Sequence, residues 1–190
     1  MARTGERKAQ ILQTLAAMLE NPKGERITTA LLAARLEVSE AALYRHFSSK
    51  AQMFEGLIEF IEQTVFGLVN KIQAEELDPM KQVEATIATL LGFAQKNPGM
   101  TRVLIGDALV NEDERLQARV NQLLDRLEAS LRQSARLAAT AGALPADWDV
   151  NAYANAVIAF VVGRWHQFAK SGFRRPPMDG WPQQWRVFAA

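Results

Sequence analysis

Residues 28–47 read TTALLAARLEVSEAALYRHF, a stretch with the pattern of a helix-turn-helix. Thr28 or Thr29 can cap a first helix, because a hydroxyl accepts the N–H groups that the first helical turn leaves without partners. A two-residue turn follows, and Ser39 can cap a second helix that we expect to end at His46. A plain helical hairpin with a solvated basic end gives the same pattern, so the spacing alone leaves both interpretations open.

The second of these helices carries the residue types of a recognition helix. Its first turn is small, so its backbone can approach base pairs closely, and its far end and the residues beyond it offer hydroxyl and cationic groups that suit phosphate oxygens. The residues concerned are Ser39, Ala41 and Ala42 in the first turn, and Tyr44, Arg45, His46 and Lys50 further on. We expect its buried side to hold Val38, Ala42, Leu43 and Phe47.

The composition argues against several classes of protein. The 190 residues include no cysteine, and the two histidines, His46 and His166, are not at a metal-ligand spacing. There is no Ser–His–Asp set and no glycine-rich phosphate loop, so we expect no enzyme, no catalytic residue, no metal and no cofactor. No run of about 18 apolar residues or signal peptide is visible, which predicts a cytoplasmic protein with no membrane span.

Charge is distributed unevenly along the chain. Residues 1–50 hold eight Lys and Arg against five Asp and Glu, a net charge of +3, whereas the remainder carries −2. This division is typical of a DNA-binding head on a regulatory body, and it predicts domains at 1–50 and 51–190. Arg3, Arg7 and Lys8 could reach phosphates or could be ordinary solvated charges.

Helical periodicity extends over the whole chain and predicts an all-α fold. Besides the helix-turn-helix, we expect helices at 5–19, 50–76, 78–97, 100–109, 111–139 and 150–170, and a short packed helix in the tail. An Asn-Pro-Lys-Gly break at residues 21–24 ends the first helix. Along the 50–76 helix the expected apolar face is Met53, Leu57, Ile58, Ile61, Val65, Leu68, Val69 and Ile72.

Some residues fall off these apolar faces. Phe60 and Phe66 lie away from the centre of the 50–76 stripe, which indicates either a second contact surface or cover by a neighbouring helix. In the next helix, Thr89, Gly92 and Lys96 line the side opposite the core face. A glycine there could let a partner approach the backbone closely, or could be tolerated drift.

The last long helix is so apolar that it must be covered on most sides. Paired with the 111–139 helix, it predicts a four-helix dimer surface between two copies, and a two-fold dimer suits a palindromic DNA site. The residues predicted at this surface are Leu116, Val120, Leu123, Leu127, Val157, Phe160, Val161 and Arg164.

The stretch ALYRHFSSK at residues 42–50, with an apolar residue three positions later, resembles the DNA-binding domain of the tetracycline-repressor (TetR) family. Residues 90–109 and 115–133, in the body, are similar to the nucleoid occlusion factors of that family. The resemblance implies a homodimer that binds palindromic chromosomal sites and antagonises polymers of the tubulin-like division protein FtsZ. It implies a nucleoid-associated location as well.

The resemblance also assigns residues to surfaces. It implies that Thr28, Thr29, Ser39, Tyr44, His46 and Lys50 face DNA, to which we add Glu40, Ala41 and Arg45 of the recognition helix. It implies that Phe60, Gly92, Lys96 and Asn97 face FtsZ. Two positions depart from the pattern: Leu68 stands where arginine is expected, and Thr89 where leucine is expected.

A ligand-responsive repressor with the same head is the alternative. It would need a pocket in the body, which Met80, Phe93, Met100, Trp165 and Phe168 could line. The same residues suit an ordinary core, which is the interpretation we favour, so we expect no small-molecule ligand.

Overall fold

The computed structural model describes residues 4–21, 27–145 and 147–189, and within these ranges all regular elements are helical, which confirms the all-α prediction. The helices are α1 (Thr4–Leu19), α2 (Thr29–Arg35), α3 (Glu40–Tyr44), α4 (Lys50–Glu75), α5 (Pro79–Lys96), α6 (Pro98–Leu104), α7 (Glu114–Thr140), α8 (Val150–Lys170) and α9 (Trp181–Phe188), with a 3₁₀ turn at Asp107–Leu109. Arg3 and most of the predicted break at residues 21–24 lie outside the described residues. No helix in the described ranges is long and apolar enough to cross a membrane.

The chain divides into two compact units, and the division falls within α4 and within α7. The first unit comprises the chain up to Ile61 together with Asn97–Val120, and the second comprises Glu62–Lys96 and the residues from Asn121 onward. The predicted head, residues 1–50, therefore lies wholly in a larger unit that also contains α6.

In the first unit, α6 packs closely on α1. The contact depends on Gly99, because a Cβ atom at this position would lie 2.0 Å from the main-chain oxygen of Ala16. Ile11 and Leu15 of α1 are fully buried, as are Val103 and Leu104 of α6. The first helix of the chain and α6 are thus held together by backbone approach and apolar burial.

In the second unit, α5 packs on α8 around Trp165. The indole Nε1 donates a hydrogen bond to the Leu90 carbonyl at 3.2 Å, and the side chain is almost fully buried. A buried polar pair lies in the same unit, where Ser134 Oγ donates to Gln82 Oε1 at 2.9 Å. The polar side-chain atoms of Trp165, Ser134 and Gln82 in this core therefore have partners, as burial requires.

Several helix ends differ from the prediction. The recognition helix ends at Tyr44 rather than His46, because the chain must turn before α4 begins. The helix predicted at 100–109 ends at Leu104, since Gly106 adopts a left-handed φ of 78°. The start predicted at residue 111 moves to Glu114, because Asn111 is also left-handed, with φ 66°. By contrast, the predicted bounds of α8 are confirmed.

The predicted apolar face of α4 was wrong at Leu68, whereas the burial of Phe66 fits the cover by a neighbouring helix that the sequence left open. Leu68, placed in the buried stripe, is 43% exposed, whereas Phe66, placed nearly opposite it, is only 9% exposed. The guanidinium of Arg126, on α7, lies 3.9 Å from the centre of the Phe66 ring. Tertiary cover by α7, and not the apolar stripe itself, decides which side chain is buried here.

The predicted dimer residues must be corrected. Most of them are buried inside the single chain, so their side chains are not available to a second copy; these are Leu116, Val120, Leu123, Leu127, Val157 and Val161. Phe160 and Arg164 are half-buried. Arg164 donates hydrogen bonds to the carbonyls of Pro176, Pro177 and Asp179, which ties the tail to α8. The apolar stripes of α7 and α8 belong to the chain's own core.

Candidate nucleic-acid interface

The helix-turn-helix forms with the caps expected from its sequence. Thr28 Oγ1 accepts a hydrogen bond from the Leu31 N–H at 3.1 Å, and Ser39 Oγ accepts one from the Ala42 N–H at 3.3 Å. Glu37 turns the chain between the helices with a left-handed φ of 55°. Each cap satisfies a donor at the start of its helix, which fixes where α2 and α3 begin.

A hydrogen bond links the two helices at the candidate surface. Thr29 Oγ1 donates to Glu40 Oε2 at 2.6 Å. Both residues were predicted to face DNA, and the bond brings them together at the starts of α2 and α3. It also fixes a carboxylate there, and a carboxylate repels phosphate, so Glu40 suits a base edge better than the backbone.

The recognition helix presents a small, partly polar surface to solvent. Ala41 and Arg45 are exposed, and the Tyr44 side chain is 46% exposed. His46 is half-buried just beyond the helix, and its Nδ1 has no hydrogen-bond partner among the described residues. Leu43 faces the core and is almost fully buried, which orients the other residues of this short helix outward.

The start of α4 lies directly after the recognition helix. Ser49 Oγ accepts the Gln52 N–H at 3.1 Å, and Gln52 Oε1 accepts the Ser48 N–H at 3.0 Å, an arrangement close to a capping box. Lys50, the first residue of α4, does not extend into solvent. It forms an ion pair with Glu112, and its Nζ lies 5.6 Å from the centre of the Phe54 ring.

Lys8 of α1 adds a cation that sequence reasoning could not assign to either role. It is exposed, and its Nζ lies 5.5 Å from the centre of the Phe47 ring, at the end of the helix-turn-helix. This contact places the Lys8 ammonium close to the recognition helix. The partner of Lys50, Glu112, was missed altogether, because 62 residues separate the two and no local pattern joins them.

The residues implied to face FtsZ lie on exposed or half-exposed positions. Phe60 is 48% exposed, which is unusual for an aromatic side chain, and Lys96 is exposed at the end of α5. Gly92 is half-buried, and a Cβ atom there would have no neighbour within 4 Å. Asn97 is half-buried at the N-cap position of α6.

The residues that could line a ligand pocket are mostly core residues. Phe93, Met100, Trp165 and Phe168 are buried, and Met80 is half-buried. The hydrogen bond from Trp165 to the Leu90 carbonyl gives its only polar group a partner within the chain. These side chains therefore pack as core residues, as the sequence interpretation favoured.

Two family models match the chain. The model described as "Bacterial regulatory proteins, tetR family" matches residues 23–57, which include the helix-turn-helix. A second, described as "Tetracyclin repressor-like, C-terminal domain" and specific to SlmA-like proteins, matches residues 78–190. The chain thus belongs to the TetR family of bacterial regulatory proteins, and it is a DNA-binding regulator and not an enzyme.

Similarity to named relatives places the chain in a smaller group within the TetR family. The chain is 50% identical over 182 residues to the nucleoid occlusion factor SlmA of Alteromonas mediterranea, covering 96% of this chain and 93% of that protein. It is 49% identical over 184 residues to the nucleoid occlusion factor SlmA of a Marinomonas species, covering 97% and 93%. Within the TetR family, the chain belongs with the nucleoid occlusion factors named SlmA.

Solved structures support the fold. The TetR-family regulator PfmR of Thermus thermophilus matches with a TM-score of 0.78 at 22% identity, over 94% of this chain and 96% of that one. FadR of Bacillus subtilis, solved with stearoyl-CoA, matches with a TM-score of 0.78 at 10% identity, over 96% and 97%. At these identities the likeness concerns the fold alone.

Proposed function

We propose that this chain acts in nucleoid occlusion, as a homodimer that binds palindromic chromosomal sites and antagonises FtsZ polymers when bound. The observation that carries the proposal is its 50% identity, over nearly its whole length, to a protein named as a nucleoid occlusion factor. The similarity includes the body, where a ligand-responsive repressor of the same family would differ. The FtsZ partner follows from the resemblance described above.

DNA recognition would combine phosphate contacts with limited base readout. Exposed Tyr44 and Arg45 would set the register on phosphates, and Ala41 is small enough to meet a thymine methyl group. The recognition helix has no Asn or Gln for a bidentate contact to adenine. Part of the specificity would then come from DNA shape and bridging water.

Dimerisation would use the outward side of α8 and not its buried stripe. Ala152, Ala156 and Ala159 are exposed on this helix at a spacing that places them on neighbouring turns. Small side chains allow two copies of a helix to approach closely around a two-fold axis. Ala156→Arg should therefore give a monomer in sedimentation equilibrium and weaken binding to a palindrome, whereas Ala141→Arg, in the exposed turn after α7, should do neither.

Contacts to the partner would involve Phe60 in the first unit and, separately, the outer side of α5 in the second unit. Phe60 is an exposed aromatic side chain, Gly92 leaves its surroundings open, and Lys96 adds a cation at the end of the same helix. An exposed aromatic side chain suits an apolar part of a partner, and an exposed cation suits an acidic part.

The test separates the two activities. Phe60→Ala and Lys96→Glu should retain binding to a palindromic fragment, measured by fluorescence anisotropy, and should lose the reduction of pelleted FtsZ polymer. Matched controls are Leu77→Ala, which shortens another exposed apolar side chain, and Lys81→Glu, which reverses a charge at the other end of α5. If both test variants act on FtsZ as the controls do, the partner surface is elsewhere.

A further inference from the structure

The ion pair between Lys50 and Glu112 lies inside a cleft of the first unit. The cleft has a volume of about 220 Å³ and is bounded by the end of α1, the start of α4 and residues 107–112. The side chains of Lys50 and Glu112 are only 22% and 13% exposed. The Phe54 ring, 5.6 Å from the ammonium, adds a cation–π attraction on the protein side. Lys50 is thus drawn inward by two partners.

The position of Lys50 explains why it needs an anionic partner. It is the first residue of α4, where aligned peptide dipoles give the helix end a partial positive charge that disfavours a cation. The first turn of α4 contains no acidic residue to offset this charge. Glu112 supplies the missing anion from a distant part of the chain. A DNA phosphate at the same helix end would supply it equally well.

The segment that carries Glu112 is held firmly. Arg102 Nε donates to Asp107 Oδ2 at 2.9 Å, and Arg102 Nη1 donates to the carbonyls of Leu19 and Asn21 at 3.2 Å each. These bonds join the segment to the end of α1. The carboxylate of Glu112 is therefore preorganised beside Lys50 and does not depend on a chance side-chain encounter.

We infer that Glu112 is an intramolecular competitor for Lys50, and that it holds the affinity of the head for DNA below the value its cations would otherwise give. Carboxylate and phosphate oxygens accept hydrogen bonds from the same N–H groups of Lys50, and the enclosed position of the side chain leaves little room for both. A carboxylate beside the site also repels an approaching phosphate. This inference rests on the proposed DNA-binding function and on the contact between Lys50 and DNA that the resemblance to the TetR family implies.

The primary test is Glu112→Gln, which keeps the shape of the side chain and removes its charge. We expect binding to a labelled palindromic fragment to become about three- to tenfold tighter, and the slope of log K against log salt to steepen by part of the roughly 0.9 that one full phosphate contact contributes, because Lys50 already makes that contact in a fraction of the complexes of the unchanged protein. Glu55→Gln is the matched control. It removes the same charge from the same unit, but Glu55 faces Arg115 and not Lys50. It should change affinity much less.

A double substitution tests whether the effect passes through Lys50. In a Lys50→Ala background, Glu112→Gln should have no greater effect than Glu55→Gln. An equal gain with and without Lys50 would mean general electrostatics and would overturn the inference. Unchanged or weaker DNA binding by Glu112→Gln would also overturn the inference, because that is the result expected if Glu112 positions Lys50 for DNA.

Two further measurements distinguish an effect on folding from an effect on DNA binding. Thermal unfolding of each variant shows whether it folds, and Glu112→Asp, which withdraws the carboxylate by one methylene, should give a smaller gain in affinity if Glu112→Gln does not fold. If Lys50→Ala alone leaves the salt slope unchanged, both the proposed Lys50 contact and the inference fail. If Lys50→Ala lowers the slope but neither Glu112 variant raises affinity, only the inference fails.

Discussion

Gly99→Ala tests the packing of α6 on α1, on which the first unit depends. An added Cβ would lie 2.0 Å from the Ala16 carbonyl oxygen, 3.0 Å from its carbon and 3.1 Å from Leu19 Cβ. The nearest atom belongs to the backbone, so no side-chain rotation can relieve the overlap. The helices would have to separate by about 1 Å, and overpacking of this kind costs roughly 1–3 kcal/mol.

The expected loss for Gly99→Ala is about 2 kcal/mol of unfolding free energy. For a chain of this length that corresponds to a decrease in Tm of about 4–8 °C, measurable by circular dichroism. Gly67→Ala is the matched control, because a Cβ atom there has no neighbour within 4 Å and Gly67 lies in the interior of α4. It should stabilise the protein by up to about 1 kcal/mol, since alanine favours helix.

An unchanged or higher Tm for Gly99→Ala would refute the close approach of α6 and α1. Gly67→Ala should not lose stability, because its methyl group enters open space and alanine favours helix. A loss confined to Gly99→Ala would therefore be due to the lack of space beside α1 and not to a general cost of adding a methyl group.

Three further predictions concern the second unit. Burial raises the pKa of Tyr153 to about 12. The native state therefore binds the phenol proton of Tyr153 more tightly than the unfolded chain does. The stability that this protonated group contributes is present below pH 10 and is lost as the pH rises towards 12. In Tyr44→Phe, where Tyr153 is the only tyrosine, the phenolate absorbance should titrate near that value, and a midpoint near 10 would contradict it. Ser134→Ala should cost about 1–3 kcal/mol in chemical denaturation by leaving Gln82 Oε1 without its donor, and no loss would show that water replaces the hydroxyl. Trp165→Phe should lose about 1–3 kcal/mol by the same assay, and a neutral result would contradict the role given to its hydrogen bond.

Local patterns in the sequence were sufficient for the helix-turn-helix. The hydroxyls of Thr28 and Ser39 act within three residues of their partners, so their capping roles could be predicted from spacing alone. The bounds of α8 were predicted from its apolar run, and the structure shows that Asp149 caps its start by accepting hydrogen bonds from the N–H groups of Asn151 and Ala152. Left-handed residues such as Asn111 gave no comparable signal, and the start of α7 was placed too early.

Tertiary cover could not be predicted from periodicity. An apolar stripe shows that a helix side must be covered, but not whether its own chain or a second copy covers it. Val157 and Val161 were therefore assigned to a dimer surface, although they are buried within the single chain. Leu68 was wrongly placed in the buried stripe, and the cover of Phe66 by Arg126 of a distant helix could not be decided from periodicity. The ion pair of Lys50 likewise depends on a residue far along the chain.

Sedimentation of FtsZ assembled with GTP tests the proposed function most directly. The purified protein would be added with a palindromic chromosomal fragment that it binds, with a fragment of the same length that it does not bind, and with no DNA. We predict less polymer in the pellet with the protein present, and the largest loss with the palindromic fragment. Tight DNA binding with no loss of polymer under any condition would contradict nucleoid occlusion through FtsZ, and would favour a transcriptional repressor of the same family.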